Sequence, residues 1–463
     1  MTQAIFARNL KKLWDVHPEH SKKITELGEL INNKYPKSNK FFINHRNRLI
    51  KEIKTQIRQT TENYHRKENN MNKEVRLFCM NKAAQSDSKF IDVVWSKLDT
   101  KFSIISERSR NKLPSTALCG VHDDMSKKNP SYWTNGFWPG LMWLMYYGTK
   151  NESYRITAEC GEKFLDKALE EYDDLHHDVG FMWHISAGAN YRITGNKKSR
   201  VRNMYAANVL AGRYNLTGKY IRSWNGEWGG KDTEGWVIID SMMNLPLLYW
   251  ASEETKDSRF RQIAVSHADV TMKNHIRPDG SVKHIVCYHP ETGEYVENYA
   301  GQGYSTNSSW SRGQAWAIYG FVLSYIHTGK KEYLDTAKRV AHYFIANVCN
   351  DYMPRVDFRS PGEPNIYDST AGAVAACGLL EIARVVDEYE GQMYYDAAIN
   401  LLKTMDKNWC DYSLDNDSVL QYGTACWKEE GEQAERVHIP LIYGDYYFTE
   451  AIYKLKGFDL LFE

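Results

Sequence analysis

Two aspartates stand where this chain could carry out acid–base chemistry. Asp240 ends the apolar run 236–239 and precedes MMNLPLLYW, while Asp178 lies in HHDVGFMW behind two histidines. A carboxylate in the first turn of a helix has an ordinary use, capping that helix and complementing its dipole. An acid flanked by apolar residues is also one whose pKa desolvation lifts toward the range of a general acid. Two carboxyls facing one cavity are the minimum for acid and base work on a glycoside. Gly180, just after Asp178, would let the backbone pass close to a ligand. His176, His177 and Asp178 are consecutive, and consecutive residues seldom converge on one ion; with no H-x-x-x-H spacing nearby, no metal is expected.

Groups suited to holding a sugar surround these acids. Arg312 offers a planar fork for a carboxylate, and Trp133, Trp224 and Trp316 offer flat apolar faces with polar edges. A single Trp at helical spacing reads as core as readily as platform. The recurrence of such residues is more telling: segments 132–138, 176–178, 236–240, 310–316 and 367–370 are aromatic or acidic, and each stands ahead of an apolar helix.

Those helices set the frame. The copies GTKNESYRITAECGEKFL, TKDSRFRQIAVSHADVTM, TGKKEYLDTAKRVAHYFI and YEGQMYYDAAINLLKTM, with a weaker one from Thr194, each begin with a turn and continue as a helix. Each follows a more apolar helix, such as GFWPGLMWLMYYG or RGQAWAIYGFVLSYIH. Helical hairpins that cannot bury their apolar faces alone stack on one another. Five visible hairpins and a sixth expected at 88–110 predict an all-α fold over 86–463, an (α/α)6 barrel whose inner helices begin around one mouth. An open solenoid fits the repeats, but it gives no reason to concentrate acids and aromatics at one end of one helix set. Strand signals are few, the best being 281–288.

Composition narrows the partners. With 59 Lys+Arg against 58 Asp+Glu, no general electrostatic pull acts toward nucleic acid or an anionic membrane. The 31 Tyr and 14 Trp, against 16 Phe, favour amphipathic surfaces. Eight cysteines are scattered singly, without a C-x-x-C pair, as expected of a reducing compartment. With no apolar leader at the start and no run of membrane-spanning length, the expectation is a cytoplasmic protein. Residues 1–85 are basic and polar and are expected to be a non-catalytic extension.

From about residue 88 onward the chain resembles the unsaturated glucuronyl hydrolases of glycoside hydrolase family 88. The likeness rests on YWTNGFWPGLMWLMY, HHDVGFMWHISAGANYRITGN, VIIDSMMNLPLLYWA, SWSRGQAWAIYGF, YDSTAGAVAACGLLEIA and YGDYYFTEAI, in the family's order. The resemblance implies an (α/α)6 barrel working without metal or cofactor. It places the family's two essential aspartates on Asp178 and Asp240, and its substrate contacts on Trp133, His177, Trp224, His284, Gln302, Arg312 and Trp316. Before Gln302 the family carries His where this chain has Gly301. The implied substrate is an unsaturated oligosaccharide, acted on by a monomer or weak homo-oligomer. An unsaturated rhamnogalacturonyl hydrolase, a sugar epimerase using two cavity histidines and a non-enzymatic sugar-binding barrel are the competing expectations.

Overall fold

The computed structural model describes residues 86–458, apart from 229, 349–350 and 428–435, all within the compact unit Cys79–Glu463. The extension read over 1–85 lies outside the described residues.

Among the described residues, twelve helices alternate between an inner and an outer ring. The inner ones are α2 (Phe137–Thr149), α4 (Ala187–Thr194), α6 (Leu245–Thr255), α8 (Ser311–Thr328), α10 (Ser369–Val385) and α12 (Ile442–Leu455). The outer ones are α1 (86–108), α3 (Glu152–Glu171), α5 (Lys197–Gly212), α7 (Ser258–His275), α9 (Lys331–Val348) and α11 (Glu388–Asn408). Inner helices are largely buried, with polar residues such as Arg312 and Asp445 buried among the apolar ones; α8 is buried without a break from Ser311 to Ser324. Outer helices bury one stripe, as α3 does with Tyr154, Thr157, Ala158, Gly161, Leu165 and Ala168. The turn joining each pair has a recurrent chemistry. Lys150, Gly195, Lys256 and Gly329 take the left-handed conformation that ends an inner helix, and Asn151, Asn196 and Asp257 then cap the next outer helix through their side chains.

Inner helices pack on one another in succession, except that α4 and α6 are linked through the segment Gly180–His184, and α12 packs on α2, so the ring is closed. The sixth hairpin differs from expectation. Residues 86–108 form one helix, and its inner partner, α12, comes from the opposite end of the chain; local periodicity carries no sign of such a pairing. Trp95 meets Phe458 at 5.7 Å between ring centroids, just past α12, and Tyr154 of α3 donates to the Asp99 carbonyl at 2.9 Å. The loop before α12 is clamped from both chain ends. Buried Lys101 of α1 donates to the carbonyls of Asp411 (2.6 Å) and Ser418 (2.7 Å). Buried Asp445 of α12 accepts from Ser418 Oγ (2.9 Å) and from the amides of Val419 (3.1 Å) and Leu420 (2.6 Å).

Short strands decorate the mouth. β1 (Tyr214–Asn215) pairs with β2 (Tyr220–Ile221), and β3 (Glu227–Trp228) with β4 (Lys231–Asp232). β5 (Trp236–Ile238), β6 (Ile285–Tyr288) and β7 (Tyr295–Tyr299) form a three-stranded antiparallel sheet. The strand expected at 281–288 is therefore real over its second half, and the apolar run before Asp240 is its partner. No helix among the described residues is long and apolar enough to cross a membrane.

Replacing Asp445 by Ala leaves two amides and a hydroxyl without an acceptor, at about 1–3 kcal/mol for each buried group. The expected result is a loss of at least about 2 kcal/mol, read as a lower denaturant midpoint with an unchanged slope.

Candidate active site

The register of β5 on β6 builds half of the site. Ile238 lies opposite Ile285, and one step further the Ile239 N–H donates to the His284 carbonyl at 3.1 Å. β5 then turns into the 3₁₀ segment Ile239–Asn244, whose second residue is Asp240. His284 on the neighbouring strand thus comes to Asp240, with its Nε2 3.5 Å from Oδ2. Asp240 does not cap the helix: Ile238 holds the cap position and no side chain bonds there.

The other half is the turn at 176–178, which leads into the π-helical segment Gly180–His184. A Cβ at Gly180 would lie 2.4 Å from Asn244 Oδ1 and 2.8 Å from Asn244 Cα, so the close approach expected at this glycine is to Asn244 and not to a ligand. Asn244 joins the two halves. Its Oδ1 accepts the Phe181 N–H at 2.9 Å, while its Nδ2 reaches Asp178 Oδ1 at 3.3 Å and the Asp240 carbonyl at 3.5 Å. The sequence reading passed over this residue; its only signal was the four-residue spacing after Asp240.

Burial, with the Asp240 charge adding to it, raises the Asp178 pKa well above the usual carboxylate range. His177 Nε2 lies 3.3 Å and His176 Nδ1 3.4 Å from Asp178 Oδ2, and burial holds both imidazoles neutral. The expectation that these consecutive residues do not converge is corrected by the tight turn. Their ligating atoms lie within 4.8 Å of one another, close enough to hold an ion among the described residues.

Asp178 and Asp240 line one cavity of about 550 Å³ with Trp133, Trp224, His284, Gln302 and Arg312. Trp224 stacks on Trp228 at 5.9 Å, and Trp133 leans on Tyr443 at 5.0 Å. Two expected contacts do not line the cavity. His177 is buried behind Asp178, and Trp316 is core, its ring 5.3 Å from Phe181 and 5.4 Å from Tyr447. Arg312 lines the cavity, but its fork is not open to a ligand carboxylate in the way its sequence position suggested. It pairs with Asp368, donates to the carbonyls of Thr424 (2.6 Å) and Ala425 (2.7 Å), and stacks 4.5 Å from Trp310. Segment 367–370 therefore serves the site at one remove, through Asp368. Arg436, which the motifs missed, also lines the cavity and donates to the Tyr132 hydroxyl at 3.1 Å.

Gly301 has a structural reason. Its φ is +59°, and a Cβ would lie 2.1 Å from His284 Nδ1, so the imidazole occupies the space a side chain would need. The next amide, of Gln302, donates to that nitrogen at 3.0 Å. Gln302 Nε2 in turn donates to the Ala425 carbonyl at 2.6 Å.

The model of Glycosyl Hydrolase Family 88 matches residues 105–359. The unsaturated glucuronyl hydrolase of Bacillus sp. (strain GL1) is 36% identical over 328 residues, covering 70% of this chain and 86% of that protein. The unsaturated chondroitin disaccharide hydrolase of Streptococcus pyogenes serotype M1 is 33% identical over 69% of this chain and 80% of its own length. Among solved structures, the unsaturated glucuronyl hydrolase of Bacillus sp. GL1, described as responsible for glycosaminoglycan degradation, superposes with a TM-score of 0.73 at 32% identity over 80% of this chain and 99% of that one. On sequence and fold alike, the chain belongs to glycoside hydrolase family 88.

Proposed function

We propose that this protein removes a Δ4,5-unsaturated uronic acid from the non-reducing end of oligosaccharides left by polysaccharide lyases. The observation that carries the reading is a pair of carboxyls in one place: Asp178 and Asp240 line one aromatic-walled hollow, and burial raises the Asp178 pKa well above the usual carboxylate range. The activities named for the relatives point the same way.

The C4=C5 bond of such a sugar is a vinyl ether, so protonation at C4 places oxocarbenium character at C5. The reaction starts with one of the two carboxyls protonated. In this reading Asp240 delivers the proton to C4 and then accepts a proton from the water that adds at C5. Asp178, backed by His177, holds the ring and stabilises the developing positive charge. The C5 hemiketal opens, and the hemiacetal left at C1 expels the shortened sugar. No glycosyl-enzyme intermediate forms, so the carboxyl separation that separates retaining from inverting enzymes does not apply. Trp133 and Trp224 supply stacking faces, His284 and Gln302 polar contacts, and Arg436 a cation for the uronate. In this reading the enzyme acts as a monomer or weak homo-oligomer in the cytoplasm.

An epimerase would need two histidines facing each other across the cavity. Here His176 and His284 line the hollow, while His177 lies buried behind Asp178, so the expected pair of His177 and His284 does not face across it. The pectin-fragment alternative is decided by assaying both unsaturated disaccharides through loss of double-bond absorbance.

Asp240→Asn should lower kcat by about 10²- to 10⁴-fold with little change in KM; near-normal turnover would remove Asp240 from the acid role. In heavy water the product should carry deuterium at C4, and its absence there would rule out protonation at that carbon. The proton on the pair is present below the raised Asp178 pKa and lost above it, so kcat/KM should fall on the alkaline side. The folded state binds that proton more tightly than the unfolded chain does. The resulting stability is complete below the unfolded carboxyl range and drains away as pH rises through the folded pKa. Asp178→Asn, neutral throughout, should therefore be inactive yet melt at a higher temperature than wild type at pH 8, with a smaller difference at pH 5.

A further inference from the structure

Each cavity carboxylate is faced by an imidazole, and in both cases the far ring nitrogen is held by an anchored donor. For His284 the anchor is direct. The Gln302 N–H can only donate, so Nδ1 is bare and Nε2 carries the proton toward Asp240. The Ala300 carbonyl lies 3.2 Å from the same Nδ1, but a proton there would set one N–H against another.

For His177 the anchor is a chain. The Ile238 N–H donates to Ser223 Oγ at 2.9 Å, Ser223 Oγ lies 3.5 Å from Ser241 Oγ, and Ser241 Oγ lies 2.8 Å from His177 Nδ1. All three side chains are buried. The order Ser223 to Ser241 to His177 gives every hydroxyl hydrogen an acceptor. The reverse order leaves the Ser223 hydrogen with none among the described residues, which burial makes costly. His177 Nδ1 is then an acceptor, and the proton sits on Nε2, which has no hydrogen-bond partner among the described residues and whose nearest acidic oxygen is Asp178 Oδ2 at 3.3 Å. Ser241 is not a nucleophile, despite the Ser–His–Asp order, because it is buried and does not line the cavity.

We infer that Ser241, backed by Ser223, is a positioning residue that locks neutral His177 as an N–H donor toward Asp178. The inference rests on the proposed hydrolase reading for its catalytic meaning, though the tautomer itself is independent of activity. Without the Ser241 hydroxyl, His177 is free to move its proton to Nδ1 and turn a lone pair on the Asp178 carboxylate. That destabilises the ionised acid and raises its pKa. The other groups facing Asp178 are the Asn244 amide, His176, Asp240, Arg213 and the Tyr447 hydroxyl, and none of them is substituted in the variant.

The test uses the full-length enzyme on an unsaturated disaccharide, with Ser241→Ala and Ser241→Thr, each in the wild-type and His177→Gln backgrounds. Ser241→Ala should lower kcat/KM about tenfold, as for one lost hydrogen bond, and move the alkaline limb of the pH profile upward. Ser241→Thr, which keeps the hydroxyl, should recover to within about threefold. In the His177→Gln background Ser241→Ala should do nothing further. An equal effect of Ser241→Ala in both backgrounds, or an unmoved limb, would mark Ser241 as merely structural and overturn the inference. ¹⁵N spectra of histidine-labelled enzyme, assigned with His177→Gln, read the ring directly. Wild type should show a protonated Nε2, and a protonated Nδ1 would refute the tautomer whatever the kinetics. If wild-type enzyme leaves the disaccharide intact, it is the hydrolase reading that fails, and the spectra still answer for Ser241.

Discussion

The site depends on holding two carboxyl groups in one poorly solvated hollow. Burial there penalises a charged Asp178, the Asp240 charge adds to that penalty, and the raised Asp178 pKa expresses both. The pair would separate if its two turns were free to move. Asn244 prevents this with one amide, bonded to Phe181, to Asp178 and to the backbone of Asp240. The absence of a side chain at Gly180 lets the two turns come that close.

The barrel carries this arrangement because its inner helices have no solvent face. Helices buried on every side cannot slide without losing apolar contact around the whole ring, so the segments ahead of them are held in place. The ring is completed by helices from opposite chain ends, α1 outside and α12 inside, with Lys101 and Asp445 gripping the loop between α11 and α12. That loop leads to Thr424 and Ala425, whose carbonyls take the Arg312 guanidinium. Closure of the fold and orientation of the cavity wall therefore share the same backbone.

The charges of the wall are mostly satisfied within the protein. Arg312, bonded to Asp368 and two carbonyls, stiffens the cavity floor beneath Trp310 and Tyr443. Ionised, hydrogen-bonded groups fixed in this way have little freedom to reorganise, which suits a reaction whose charge develops at one ring carbon. Trp133, Trp224 and Trp228 give the cavity wall apolar faces with polar edges.

Much of this was legible in the residues themselves. The alternation of more apolar and one-faced helices, the TKN, TGN and TKD turns and the acids ahead of the inner helices are local properties, because helical period and capping are set within a few residues. Those properties determined the all-α barrel and singled out Asp178 and Asp240. What neighbouring residues cannot encode is which distant groups meet. The pairing of α1 with α12, the strand register that brings His284 to Asp240, the occupation of Arg312 by Asp368, the burial of Trp316 and the bridging role of Asn244 were decided only by tertiary structure. Each is a contact between segments far apart in the chain, chosen by how whole faces pack and by which buried polar groups must find a partner.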